Sequence, residues 1–347
     1  MNLRRTLAAA SFFLGAGAAP ALSADSAVIL TYYRFGEEAQ AATNIKLAEF
    51  DAHLKELTSG RYHVLPLPEI LSAIREKRSL PDRAVAITLD DGFASAYAHA
   101  WPRLRAAKLP FTVFVTTGPI DAKAKGIMSW DQLRELAKAG VTIGAQTRTH
   151  LHMIEASDER NREEMAASNK RIADEIGTAP IVFSYPYGEA SARTMALAKQ
   201  AGYRFALGQF SGVANPTMDD FHVPRFGVNE SSGDFARFKL ILNALPLRVA
   251  DVSPADPLVT GANPPAFGFT VTGDLARVAA IRCFASSEGR VRIERLGAER
   301  IEVRLAKPLA PGRTRLNCTM PGPDGRWHWY GTSFYVPKPD AARTAPQ

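Results

Sequence analysis

The chain has 347 residues, of which 46% are hydrophobic and 22% are charged, and its formal net charge is +7 at pH 7. These values are typical of a soluble globular protein with one large domain and a smaller one. The positive charge is compatible with anionic surroundings such as a cell envelope or an acidic polymer, but the favoured interpretation is that it keeps the protein soluble. No Lys/Arg-rich block with interleaved aromatic residues is present, which argues against a nucleic-acid partner.

The N-terminus has the pattern of a secretory signal. Arg4 and Arg5 precede an apolar run, residues 7–19, that is too short to span a bilayer. Small residues then offer a cleavage site after Ala24, with Ser23 as the alternative. The pattern predicts general secretion to the periplasm or cell envelope, with no stable membrane insertion after cleavage. Twin-arginine export and an uncleaved anchor are the alternatives.

From residue 28 to about residue 207, short apolar runs alternate with amphipathic stretches. The predicted strands are 28–32, 63–65, 84–89, 112–116, 141–145, 181–184 and 204–207. The predicted helices between them are 47–57, 67–76, 94–107, 130–139, 158–176 and 191–201. This alternation predicts a parallel α/β fold, and about seven strand–helix units favour a barrel over an open sheet.

After about residue 246 the helical periodicity fades, and proline, glycine and β-forming residues increase. The predicted strands are 267–272, 278–285, 290–295, 301–305, 313–317 and 327–336. The predicted organisation is a signal peptide at 1–24, a (β/α) barrel at 25–246, a smaller β-sandwich accessory domain at 247–336 and a disordered tail at 337–347.

Both cysteines, Cys283 and Cys318, lie in the predicted sandwich. In an exported protein they predict a disulfide, with two buried free thiols as the alternative. Trp327 and Trp329 share one face of the last predicted strand. Alternating aromatic residues more often fill a sandwich core than form a sugar-binding platform.

Polar residues follow three of the predicted strands. Asp90 and Asp91 end the strand at 84–89, and residues 147–150 and 185–188 follow two later strands. Since active sites of such barrels lie at the carboxyl ends of the strands, these segments predict an active site. Adjacent carboxylates suit a metal hydrolase, in which one binds the ion and the other accepts a proton from water. The alternative is an Asp-Asp-Gly turn with solvated acids.

The segments Thr-Leu-Asp-Asp-Gly at 88–92, Gly-Ala-Gln-Thr-Arg-Thr-His at 144–150 and Phe-Ser-Tyr-Pro-Tyr-Gly at 183–188 occur in this order. Together they resemble the polysaccharide deacetylases of carbohydrate esterase family four, the nodulation-B homology domain, over about residues 27–230. Residues 29–34 and 223–227 look most like the branch that deacetylates poly-N-acetylglucosamine. The resemblance implies a distorted barrel of fewer than eight strands and metal-dependent hydrolysis of N-acetyl groups.

The resemblance also implies roles for individual residues. Asp90 matches the catalytic base, Asp91 and His150 match metal ligands, and the backbone N–H of Tyr187 matches an oxyanion donor. The implied cofactor is a divalent metal, zinc with cobalt or nickel as possible substitutes. Arg225 is a candidate for orienting Asp90, with a plain surface arginine as the alternative.

The chain departs from the family pattern at three positions. Ser184 stands where the family has an arginine, which the poly-N-acetylglucosamine branch also lacks. Gln146 stands where the first metal-binding histidine is expected; it could ligate the metal, hold a water that does, or mark a lost site. Tyr33 stands where the branch carries its histidine general acid, and His222 is a second candidate for that acid. His152 is a candidate substitute for the missing metal ligand, although a surface loop histidine is the favoured interpretation.

These features predict an exported metal-dependent deacetylase that acts on N-acetylglucosamine-containing glycans and releases acetate. The alternatives are a catalytically silent glycan-binding protein on the same fold and a deacetylase of chitooligosaccharides. The sequence leaves the oligomeric state undetermined.

Overall fold

The computed structural model describes residues 23–273 and 276–338, and its first part is a distorted barrel. Up to residue 227 the strands are β1 (Ser23–Ala24), β2 (Ala27–Tyr32), β3 (Arg34–Phe35), β4 (Asn44–Ile45), β5 (His63–Val64), β6 (Leu80–Pro81), β7 (Ala84–Leu89), β8 (Thr112–Val115), β9 (Thr142–Ala145), β10 (Val182–Ser184), β11 (Phe205–Leu207) and β12 (Phe226–Gly227). The main sheet is parallel in the order β11-β10-β9-β8-β7-β2-β12, with the short β5 beside β7. The barrel of about seven strands that the sequence predicted is confirmed.

The segment 223–227 links the two outer strands of this sheet. Val223 bridges to Leu207 at the end of β11, and β12 pairs with β2. The interior is tightly packed: a Cβ on Gly144 in β9 would come within 2.5 Å of the Phe114 ring, so only glycine fits there. Strands β2 and β7 are buried along their whole length, as expected for parallel strands that are covered on both faces.

Helices connect the strands. They are α1 (Leu47–Leu57), α2 (Leu67–Arg75), α3 (Trp101–Ala106), α4 (Thr117–Asp121), α5 (Trp130–Lys138), α6 (Asp158–Ile176), α7 (Ala192–Gln200) and α8 (Phe235–Leu242). The longest, α6, begins where the Ser157 side chain accepts the Arg160 N–H and ends at Gly177, whose φ of 86° suits a residue without a side chain. The stretch predicted as one helix at 94–107 begins with a π-helical segment, Ala96–Ala100. Helices α4 and α8 were not predicted.

The second part of the chain is a β-sandwich, as predicted. Its strands are β13 (Leu245–Pro246), β14 (Val249–Ser253), β15 (Phe267–Val271), β16 (Arg282–Ala285), β17 (Gly289–Leu296), β18 (Arg300–Arg304), β19 (Gly312–Pro321) and β20 (Trp327–Val336), in the order β13-β20-β19-β16-β17-β18-β15-β14. The first residues of β17 pair with β16 and the later ones with β18, so the strands form two halves. Rings from the two halves meet in one core, with Phe267 5.3 Å from Phe334.

Two details of the predicted sandwich are confirmed or corrected. Cys283 and Cys318 form a disulfide between β16 and β19, which confirms that prediction. The strand predicted at 278–285 begins only at residue 282, because Val278–Ala280 forms a 3₁₀ turn.

The tryptophans of β20 do not belong to the sandwich core. Trp329 packs against the barrel, with its ring 5.2 Å from that of Phe226, and Trp327 is 37% exposed. From the same strand, the residues that pack with the sandwich core include Tyr330 and Phe334. The prediction that Trp327 and Trp329 fill the sandwich core is therefore wrong. Trp329 instead packs between the sandwich and the barrel.

The predicted signal sequence up to residue 22 and residues 339–347 of the predicted tail lie outside the described residues. The predicted cleavage site at Ser23 and Ala24 lies in β1, which pairs with β6. Within residues 23–273 and 276–338, no helix has the length and apolar character needed to cross a membrane.

Candidate active site

The carboxyl ends of the barrel strands bring the predicted site residues to one edge of the sheet. Tyr33 directly follows β2, Asp90 follows β7 and Gln146 follows β9. His150 and Tyr187 lie on the loops after β9 and β10. Tyr33, Asp91, His150 and Tyr187 line one cleft of about 660 Å³.

Asp90 forms a buried ion pair with Arg225. Arg225 Nη1 donates to Asp90 Oδ1 at 2.6 Å and Nη2 donates to Oδ2 at 2.8 Å, and neither side chain has exposed surface. Ser184 also donates to Asp90 Oδ2 at 3.2 Å. Burial disfavours the charge on Arg225, but Asp90, together with Tyr33 and Asp91, more than offsets burial, so the pKa of Arg225 is raised. The bidentate contact fixes the orientation of the carboxylate. Asp90 is enclosed by Arg225 and Ser184 and is not among the residues that line the cleft.

Gln146 lies between Asp91 and His150. Its Oε1 accepts the Asp91 backbone N–H at 3.1 Å, and its Nε2 donates to Asp91 Oδ1 at 3.0 Å. The same Nε2 lies 3.2 Å from His150 Nε2, which is itself 3.3 Å from Asp91 Oδ1. Because the backbone N–H can only donate, it holds the amide with its oxygen toward Asp91 N and its NH₂ group toward the carboxylate and the imidazole.

This donor set does not fit the metal centre that the family resemblance implies. Among the described residues, no group of three His, Cys, Asp or Glu side chains could hold a metal ion. Asp91 and His150 are suitable ligands, but the third group directed at them is an amide NH₂, which has no lone pair to offer a cation. For Gln146 Oε1 to become a ligand, the amide would have to rotate and give up its hydrogen bond to Asp91 N.

The loop that carries His150 is held in a strained conformation by a buried acid. Thr147 and His150 have φ values of 65° and 60°, in the left-handed region that favours glycine. Glu164 on α6 is 1% exposed, and its carboxylate accepts the N–H groups of Arg148 and Thr149 at 3.0 and 2.8 Å. It also accepts the Thr149 hydroxyl at 3.0 Å. Helix α6 therefore anchors the loop.

Tyr187 forms an aromatic wall with two histidines. Its ring stacks on His152 at 4.0 Å and meets the edge of His150 at 4.5 Å. His152 Nδ1 lies 2.7 Å from a carboxylate oxygen of Glu189, so the structure places His152 beside Tyr187 rather than with Asp91. Tyr187 has a φ of 58°, and its carbonyl accepts a hydrogen bond from Arg313 of the sandwich.

The two candidates for the general acid lie in different places. Tyr33 lines the cleft, and burial, followed by the charge of Asp90, raises its pKa far above the usual value for tyrosine. Tyr33 therefore stays protonated and can donate a hydrogen bond, but it is a weak acid. His222 lines a separate cavity of about 240 Å³ between barrel and sandwich, and its Nε2 is buried without a hydrogen-bond partner among the described residues. The structure does not bring His222 to the cleft.

Sequence reasoning missed the residues that the sandwich contributes to the cleft. Phe284 of β16 and Arg313 and Arg315 of β19 line it, together with Arg237 of α8. The alternation of polar and apolar residues over 315–320 was a usable signal, since a strand there puts Arg313 and Arg315 on one face. Nothing in the pattern indicated that this face meets the barrel.

The barrel part of the chain is similar to known proteins. Residues 77–206 match the model of the polysaccharide deacetylase family. The chain contains a polysaccharide deacetylase domain. The poly-beta-1,6-N-acetyl-D-glucosamine N-deacetylase of Staphylococcus aureus strain MSSA476 is 25% identical over 202 residues, which are 54% of this chain and 69% of that protein. YxkH of Bacillus subtilis is 28% identical over 181 residues, which are 52% of this chain and 64% of YxkH.

Solved structures show the same fold. IcaB from Ammonifex degensii superposes with a TM-score of 0.56 and 25% identity, over 62% of this chain and 96% of that one. The Streptococcus pyogenes deacetylase PplD, solved in complex with acetate, superposes with a TM-score of 0.57 and 21% identity, over 60% of this chain and 94% of that one. In each case the shared part accounts for nearly the whole of the other chain.

Proposed function

We propose that this protein is a polysaccharide deacetylase that hydrolyses N-acetyl groups of N-acetylglucosamine-containing glycans. The observation that supports this most is the convergence of Asp91, His150 and Tyr187 on one cleft, in a polysaccharide deacetylase domain. The residue before Asp91, Asp90, forms a buried ion pair with Arg225.

The proposed roles follow from the chemistry of each group. Asp90, held by Arg225, is the candidate base that takes a proton from the attacking water. The backbone N–H of Tyr187 is the candidate donor to the oxygen that becomes negative, and Tyr33 is a candidate hydrogen-bond donor to substrate. A divalent metal such as zinc would supply Lewis-acid activation of the water, but Gln146 does not present a ligand for it, so we assign no step to a metal.

Two observations favour a second candidate function, a catalytically silent glycan-binding protein. The Gln146 amide directs NH₂ at the position where a cation would be needed, and Asp90 has no exposed surface. Such a protein would use the cleft for recognition alone. A deacetylase of chitooligosaccharides differs from the main proposal only in substrate length.

The test is acetate release by the protein from Asp25 onward, on N-acetylglucosamine oligomers of increasing length. It is run with a chelator and with added zinc, cobalt or nickel. We expect release that is lost in Asp90→Asn and retained in Asp174→Asn, the same change at a half-exposed position of α6. Release confined to short oligomers would indicate the chitooligosaccharide activity. No release under any condition, with chitohexaose bound in calorimetry, would favour the silent glycan-binding protein.

We further propose that the protein acts in the periplasm or cell envelope. The disulfide supports an oxidising compartment, and the N-terminal sequence has the pattern of a secretory signal. The domain limits of 25–246 and 247–336 remain proposals, which limited proteolysis would test.

A further inference from the structure

The cleft beside Asp91 is strongly basic, and most of this charge has no acidic partner. Arg237, Arg313 and Arg315 line it, and the only acid among the lining residues is Asp91. None of the three arginines forms a salt bridge with a described residue. An arginine cluster of this kind in a concave site is typical of anion recognition.

Arg237 and Arg313 are fixed by the backbone around them. Arg237 donates to the carbonyls of Ser232 and Gly227, and Arg313 donates to the carbonyl of Tyr187 and to Gln209 Oε1 at 3.1 Å. These acceptors are neutral, so they position the guanidinium groups without cancelling their charge. Arg315 is exposed. Its backbone N–H donates to Ser286 Oγ and its carbonyl accepts from Ser286 N, but its guanidinium has no hydrogen-bond partner among the described residues.

The three charges also act on one another. Burial lowers the pKa of Arg313, and the Arg315 charge lowers it further, while Tyr33 and Glu189 oppose this. Burial also lowers the pKa of Arg237; Asp234 opposes this, and Arg315 adds to it. Mutual repulsion of like charges costs free energy in the empty cleft, and an anion that entered it would relieve that cost.

The sandwich side of the cleft also carries residues suited to binding sugars. Phe284 on β16 lines the cleft and is 37% exposed, and Asn317 on β19 lies beside it in the paired strand. An exposed aromatic ring can stack on the apolar face of a sugar, and an amide can both donate to and accept from hydroxyl groups. The disulfide between Cys283 and Cys318 joins these two strands next to this side of the cleft.

We propose that the cleft binds an anionic N-acetylated glycan, in which a carboxylate-bearing or phosphate-bearing unit lies against the arginines of the sandwich while an acetamido group faces Asp91 and Tyr187. This inference rests on the proposed function and narrows its substrate class. In this arrangement the sandwich is the part of the protein that selects charge, and the barrel is the part that meets the acetyl group.

The test compares oligosaccharide binding by calorimetry, on the protein from Asp25 onward, at low and at physiological ionic strength. The probes are a heparosan hexasaccharide, with alternating N-acetylglucosamine and glucuronate, the neutral chitohexaose, and hexagalacturonate, which is acidic but has no acetamido group. We expect the heparosan oligosaccharide to bind about tenfold more tightly than either of the others, with a preference over chitohexaose that shrinks as salt rises.

Three variants test whether Arg315 causes the preference for the heparosan hexasaccharide over chitohexaose. Arg315→Gln should remove most of the preference over chitohexaose, and Arg315→Lys should retain part of it. Arg295→Gln, at an exposed arginine on β17 outside the cleft, should leave it unchanged. Equal binding of heparosan hexasaccharide and chitohexaose, or of heparosan hexasaccharide and hexagalacturonate, would overturn the proposal, as would an undiminished preference in Arg315→Gln.

Acetate release separates this proposal from the proposed function. Release from chitohexaose without any preference for the anionic oligosaccharide would leave the deacetylase standing and reject the anionic substrate class. Tight, Arg315-dependent binding of the heparosan hexasaccharide without release from any probe would support the anionic site and reject the deacetylase.

Discussion

At the scale of single residues, the direction of the Gln146 amide group decides whether Asp91 and His150 are joined by a third metal ligand. Gln146 is wholly buried, and each half of its amide has a partner on Asp91. The backbone N–H of Asp91 is available to it because Asp91 has a φ of 69°, which turns the chain at the end of β7. The contact between Gln146 and Asp91 N therefore depends on a backbone conformation that few non-glycine residues adopt.

Replacing this amide with an imidazole should create a metal site. In Gln146→His, three side chains of the right chemistry would converge, and we expect zinc affinity to rise at least about tenfold, since even outer-shell changes alter metal affinity by about 10–100-fold. Competition with a chromophoric chelator measures the affinity.

Gln146→Ala is the matched control, because it removes the NH₂ group without adding a ligand. Equal zinc affinity in Gln146→His and Gln146→Ala would mean that the side chain at 146 does not reach the ion, and the assignment of this position would then fail.

At the scale of elements, helix α6 positions the loop that carries His150. The Glu164 carboxylate accepts hydrogen bonds from two backbone N–H groups of the strained loop. Arg160, one turn earlier in the helix, donates to the same carboxylate at 2.6 Å. The loop keeps its left-handed residues because these contacts offset the strain, which costs on the order of 1–3 kcal/mol per residue.

Glu164→Gln should loosen this loop. With its NH₂ group toward Arg148 N and Thr149 N, the glutamine leaves these buried donors unpaired, which costs about 1–3 kcal/mol. With its oxygen there instead, its NH₂ group faces Arg160, which can only donate, so the contact with Arg160 is lost. We expect faster hydrogen–deuterium exchange at the amides of Arg148 and Thr149, with little change in the barrel strands. Glu163→Gln, one residue away and 61% exposed, is the control. Unchanged exchange in Glu164→Gln would show that the loop holds its shape without the carboxylate.

The elements themselves were predictable where local signals were strong. Helix α6 has a serine cap and a terminal glycine, and strand β7 is apolar except for Thr88; both were predicted at the bounds that the structure shows. Helix α8 was missed because it exposes Phe235 and Leu240, so its apolar residues follow no one-sided pattern. The order of the motifs indicated which residues meet, but the orientation of Gln146 depends on a backbone turn fifty-five positions away in sequence.

At the scale of the whole molecule, the contact between barrel and sandwich was the least predictable feature. Arg313 reaches across it to the Tyr187 carbonyl, and Trp329 packs on Phe226. Such contacts depend on how the barrel core and the sandwich core pack against each other. Neither the periodicity nor the composition of the sequence predicts that packing. The barrel side of the cleft was therefore predicted from the sequence, whereas the sandwich side was not.

Global stability should fall as the pH falls from about 6.5 to about 4, partly through His53. This side chain is fully buried in contact with Tyr32, Phe238 and the Gly233 carbonyl, and burial lowers its pKa to about 4. In the unfolded chain a histidine has a pKa near 6.5. Between these two values the unfolded state binds a proton that the folded state does not, so lower pH favours unfolding by up to about 1.4 kcal/mol per pH unit.

Urea unfolding at several pH values from 7 to 4 measures this slope. Carboxylates also contribute to acid unfolding, so the comparison of variants carries the test. His53→Gln keeps a donor for the Gly233 carbonyl and should flatten the slope, whereas His63→Gln, at an exposed position, should leave it as in the parent. If both variants retain the parent slope, His53 is not the group that links folding to protonation in this range, and its imidazole must take up a proton without loss of the fold.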